Sequence, residues 1–96
     1  MGLKYGATFL MNNEDYTLKV IATAHAFRCG YEGQGNRLFA EILEGLISVT
    51  QSLDLTGANS VQALIPVMFD AQKRRDTIYL ADLLEYELIS RLSGNT

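Results

Sequence analysis

A chain of 96 residues, 48% apolar and 20% charged, is long enough for one domain with a thin core and too short for two. Its net charge of −3 argues against binding a phosphate backbone, because the only basic run is Lys73, Arg74, Arg75. A single cysteine, Cys29, excludes an intramolecular disulfide, points to a reducing cytoplasm, and leaves any cysteine-based metal cage dependent on other chains.

The start, MGLKYGATFLMNN, lacks the cationic lead, long apolar run and cleavage pattern of a secretory signal. No apolar run approaches the roughly 20 residues that span a bilayer. Leu3, Tyr5, Ala7, Phe9 and Met11 alternate with Lys4, Gly6, Thr8 and Leu10, so residues 1–12 are predicted as an extended arm. Asn12, Asn13, Glu14 and Asp15 make a good helix start, and a first helix is predicted over about 14–31.

On that helix Tyr16, Val20, Ala24, Phe27 and Tyr31 form one apolar stripe, and Leu18, Ile21, Ala22, His25 and Cys29 a second. Only Asp15, Lys19, Thr23 and Ala26 are expected to face water, as on a helix inside a bundle or across an oligomer interface. Gly30, Gly33 and Gly35 then interrupt the pattern. Asn36 is a predicted cap for a second helix over about 36–53, with Leu38, Phe39, Ile42, Leu43, Leu46, Ile47, Val49 and Leu53 inward. LDLTGANS reads as a turn, with Asn59 or Ser60 capping a third helix over about 60–75 that either kinks at Pro66 or starts near it. Asp76 caps a fourth helix over about 77–93, whose Leu80, Leu84, Leu88 and Leu92 recur every four residues.

The chemically suggestive segment is AHAFRCGYEGQGNRL, which holds the only histidine and the only cysteine. His25 and Cys29 at i, i+4 have metal-ligand spacing, but zinc needs three or four protein ligands and only a symmetric dimer could supply the rest, so no metal is expected. AHAFRCGYEGQGNRLFAEIL resembles the phosphoacceptor helix of histidine phosphotransfer domains, with His25, Arg28, Gly35 and Leu38 in the family's places. The resemblance implies His25 as phosphoacceptor and Arg28 as the cation beside it. It departs from the family at Cys29, where a small residue is usual, and in having only about a dozen residues before the acceptor helix. The alternative reading makes His25 a core or interface residue, Cys29 a small hydrophobe, and the glycines a helix stop and a turn.

DTIYLADLLEYELISRL is dense in acids, with Asp82, Glu85 and Glu87 near Tyr79 and Tyr86, and Asp82 and Glu85 stand at i, i+3. With no Glu-x-x-His motif for a di-metal site, Tyr79, Asp82, Glu85 and Tyr86 are expected to recognise a basic partner. LADLLEYELI, preceded by AQKRRD, resembles the C-terminal helix of small bacterial helical proteins akin to flagellar export chaperones, which implies a bacterial, non-catalytic bundle that binds another protein. A ribbon-helix-helix DNA binder is a lesser alternative, with Lys4 as the arm's only basic side chain.

The expected fold is therefore all-α: three or four antiparallel helices with a short N-terminal arm, dimeric through that arm and the first helix. The expected function is a non-catalytic adaptor or chaperone-like homodimer in the cytoplasm, with no cofactor, nucleic acid or membrane partner.

Overall fold

In the computed structural model, which describes residues 13–93, the chain is all-α. Helices α1 (Asn13–Arg28), α2 (Glu32–Thr50) and α3 (Leu55–Lys73) are followed by a last rod, α4, of three stretches: α-helical Thr77–Asp82, π-helical Leu83–Leu88 and α-helical Ile89–Leu92. The extended arm expected over 1–12, including Phe9, lies outside the described residues.

Short connectors make consecutive helices antiparallel. Phe27 meets Gly35 while Tyr16 meets Ile42, so the α1 and α2 chains run oppositely. Glu32 with Arg75 and Phe39 with Phe69 show the same for α2 and α3. Arg91 with Ser60 does so for α3 and α4. Arg28 with Glu85 closes the bundle between α1 and α4.

The helix ends explain the observed boundaries. Glu14 and Asp15 stand in the first turn of α1, where the positive end of the helix dipole favours acids. At the other end the Tyr31 N–H donates to Ala26 O and the Gly30 N–H to Phe27 O, the paired bonds of a Schellman stop. Gly30 carries the left-handed φ of +82° that this stop requires. The chain re-enters a helix at once, so α2 starts four residues before the expected Asn36. Asn36 is instead inside α2, its Oδ1 accepting from Gln72 Nε2 of α3 at 3.1 Å.

Helix α3 starts before the expected Asn59 or Ser60, because the Asp54 side chain accepts from the Gly57 N–H at 2.7 Å and draws LTGANS into the first turns. The helix runs through Pro66, which is exposed, so its missing donor falls on the solvent side. α3 and α4 are separate helices. α3 ends on a second Schellman stop, with Asp76 N–H to Ala71 O and Arg75 N–H to Gln72 O. Here the left-handed residue is Arg75 (φ 59°), whose guanidinium is bidentate to Glu32 at 3.0 and 3.1 Å. Glu32 is held below the usual carboxylate range by that bond. Asp76 caps α4 as expected, accepting from the Tyr79 N–H.

The core gathers Tyr16, Val20, Ala24 and Phe27 of α1, Phe39, Ile42 and Leu46 of α2, Val61, Leu64 and Met68 of α3, and Leu80, Leu84 and Leu88 of α4. Each large side chain contributes about 1.5–3 kcal/mol. Tyr16 is buried, and its hydroxyl donates to Ile42 O at 2.6 Å. Burial pushes the phenol pKa well up.

The α1 faces differ from expectation. Thr23 and Ala26, expected in water, are buried: the flank carrying them lies towards α2, where Lys19 pairs with Glu41 at 2.6 Å. Thr23 satisfies its hydroxyl on Lys19 O one turn back. Leu18, Ile21, Ala22, His25 and Cys29, expected as a second buried stripe, are exposed, and so is Tyr31. Ile47 of α2, expected inward, is also exposed.

Two measurements test this account. A Cβ built on Gly35 falls 2.7 Å from the buried Phe27 ring, so Gly35→Ala is expected to cost about 1–3 kcal/mol of overpacking, less up to about 1 kcal/mol of helix propensity, in urea unfolding. Arg75→Ala is expected to be less stable than Arg75→Gly by about 1 kcal/mol, since both lose the Glu32 pair and only glycine relieves the left-handed backbone. Equal midpoints would remove the strain at Arg75.

Candidate functional site

Because Leu80, Leu84 and Leu88 fill the core, α4 turns Tyr79, Asp82, Tyr86 and Glu87 away from it. The π-helical stretch widens the turn by one residue, which keeps Leu83, Leu84 and Leu88 all on the buried side. Across from it, α3 presents Leu64 and Val67. The result is a groove of about 390 Å³ with Leu64 and Leu83 as floor, Val67, Tyr79 and Tyr86 as rim, and Asp82, Glu87 and Arg91 as its polar margin. That volume is at the lower end of ligand-binding clefts.

The four expected binding residues thus converge on one region, but not all in the groove. Tyr79, Asp82 and Tyr86 line it; Glu85 faces Arg28 instead. Arg28 Nη2 lies 3.0 Å from Asp82 Oδ1 and 3.1 Å from Glu85 Oε1, and the guanidinium carbon sits 5.8 Å from the Tyr86 ring centroid. The hydrogen bond to Asp82, then Glu85, raises the Arg28 pKa against the opposing effect of desolvation. One cation faces two carboxylates, so the Arg28 cluster beside the groove, counting Glu85 outside it, carries one surplus negative charge. Arg91 adds nothing to offset it, being committed to Ser60 O at 2.8 Å and to Glu87 at 3.3 Å.

Glu87 stands in the acid-rich stretch with Asp82 and Glu85 that the sequence marks out, whereas Val67 of α3 and Arg91 were not legible as part of a site. Pro66 and LTGANS obscured the phase of α3, and without the phase its outward side chains could not be matched to those of α4.

The His25 segment lies elsewhere. His25 and Cys29 are exposed and touch, Sγ to Nε2 at 3.4 Å. His25 lines a second groove of about 410 Å³ with Leu18, Ile21, Ala22, Tyr31 and Leu38. The expected core burial of His25 is therefore corrected: α1 puts the stripe of Tyr16, Val20, Ala24 and Phe27 inward and leaves the imidazole on the outer face. Arg28, the cation of the phosphotransfer pattern, turns the other way onto α4. A smaller apolar groove of about 240 Å³ separates α2 from α3 near Ile47 and Phe69.

Among the described residues, no group of three or more His, Cys, Asp or Glu is placed to hold a metal ion, and no helix is long and apolar enough to cross a membrane. Comparison with protein-family models, curated proteins and solved structures finds no match.

The Arg28 cluster is expected to contribute little to stability. A double-mutant cycle of Arg28→Ala with Glu85→Ala should give a coupling of about 0.3–1 kcal/mol, falling in 1 M salt because the pair is half-exposed. A coupling above about 2 kcal/mol would make the cluster a fold determinant and not a surface feature.

Proposed function

We propose that the chain is a non-catalytic, cytoplasmic protein-binding module of the adaptor or chaperone-like kind, acting as a homodimer, and that its α3/α4 groove takes a basic amphipathic segment of another protein. The observation that carries the reading is the groove's composition and its neighbour: an apolar floor between two half-open tyrosines, beside a cluster in which Arg28 alone faces both Asp82 and Glu85. Tyrosines that a partner can bury fully are among the usual strong points of an interface. A leftover negative charge selects a Lys or Arg placed about one helical turn from the inserted apolar side chain. The outer face of α1, with Leu18, Ile21 and Tyr31 exposed, supports self-association.

A second reading, phosphotransfer through His25, is favoured by the exposure of the ring. Two features weigh against it. His25 is in the last turn of α1, at the negative end of the helix dipole, where an added phosphoryl group is disfavoured. The cation that should stabilise it, Arg28, already faces two acids. For the ribbon-helix-helix alternative, the required strand lies outside the described residues.

The reading is tested with two synthetic helical peptides that share an apolar stripe, one bearing Lys and Arg and the other Glu, titrated by fluorescence anisotropy. The basic peptide should bind at least tenfold more tightly, with affinity falling as salt rises, and Tyr86→Ala should weaken it about tenfold, equivalent to about 1.4 kcal/mol. Equal binding of both peptides, or no effect of Tyr86→Ala, removes the groove assignment. Labelling of His25 by phosphoramidate at neutral pH would replace this reading with the phosphotransfer one.

A further inference from the structure

The only imidazole and the only thiol of the sequence meet on the outer face of α1, with Cys29 Sγ 3.4 Å from His25 Nε2. A tetrahedral zinc ion holds a thiolate sulfur at about 2.3 Å and an imidazole nitrogen at about 2.0–2.1 Å, which places the two ligand atoms about 3.5 Å apart. The pair already stands at that bite. Two ligands are half a closed site, and the described residues bring no third His, Cys, Asp or Glu within reach. The missing half must come from another chain.

The surroundings favour a second copy of this one. The groove beside His25 is lined by Leu18, Ile21, Ala22, Tyr31 and Leu38 and carries no Asp, Glu, Lys or Arg. Leu18 and Tyr31 are 59% and 60% exposed there, leaving apolar area to bury. Around a two-fold axis every group meets its own copy, so a face bearing net charge of one sign repels itself. On a chain of net charge −3, this groove without formal charges is suited to self-docking, whereas the α3/α4 groove with its charged margin is less so.

We propose that His25 and Cys29 are one half of a tetrahedral His2Cys2 site for a soft divalent cation such as Zn2+, completed by the same two residues of a second copy docked on the outer face of α1. Coordination replaces each thiol proton with the metal, so assembly releases one proton per cysteine and weakens as pH falls. The inference rests on the self-association in the proposed function and adds the metal to it.

The full chain, kept reduced, is titrated with Zn2+ and with Co2+ while its mass is followed by light scattering. One metal per two chains, a mass that doubles and reverts with EDTA, and tetrahedral Co2+ bands with a sulfur charge-transfer band are the expected results. His25→Ala and Cys29→Ser should each abolish the bands and the metal-driven dimer; both residues are exposed, so unchanged helical circular dichroism will show that the variants fold. Leu18→Glu should weaken metal-driven dimerisation at least tenfold. A dimer that forms without metal and is untouched by Cys29→Ser overturns the metal site and leaves self-association standing. Metal held by a single chain overturns the shared site. A monomer that binds no metal overturns both.

Discussion

The bundle depends on the approach of Phe27 to Gly35. With no Cβ at Gly35, the Phe27 ring lies against the start of α2 at a distance no other residue would permit. At the far end of the same interface, Tyr16 reaches the Ile42 carbonyl. Two anchors at opposite ends set the rotation of α1 about its own axis. That rotation decides where every reactive or charged group of α1 goes: Arg28 onto α4, Lys19 onto Glu41, and His25 with Cys29 outward.

Apolar burial, not pairing of charges, holds this arrangement. The ion pairs among the described residues join partly exposed side chains, and pairs of that kind contribute about 0–1 kcal/mol each. One buried Phe or Leu outweighs most of them. The charges instead set register and surface character. The Glu32 to Arg75 pair ties the start of α2 to the left-handed stop of α3, and Arg28 marks where the end of α1 meets the π-helical stretch of α4.

Much of this was legible in the residues. The Leu80, Leu84, Leu88 spacing, the Asp76 cap and the break at Gly30 each carry a local physical signal, and the structure realises each. Three features had no such signal. LTGANS is turn-like by composition, yet one Asp54 to Gly57 bond makes it helical. The π-helical stretch has no sequence mark, because it answers to where Leu83 and Leu88 must both pack. The third is the choice between two apolar stripes on α1. Periodicity shows both stripes, but only the partner helices select one, and the aromatic stripe of Tyr16 and Phe27 offers more area to bury than the one containing Ala22, His25 and Cys29.

That choice has a functional consequence. A bundle of this size cannot wrap α1 on all sides, since α2 and α4 cover only one arc of it. The outward stripe of Leu18, Ile21 and His25 is left over from the packing, as the acidic groove is left over from α4 turning its leucines inward. The two surfaces differ in the one property that decides what can cover them. The groove beside His25 is lined by no Asp, Glu, Lys or Arg, while the α3/α4 groove has Asp82, Glu87 and Arg91 on its margin. The two surfaces share no lining residue, so under the proposed reading pairing with a second copy on one side would not compete with holding a different protein on the other.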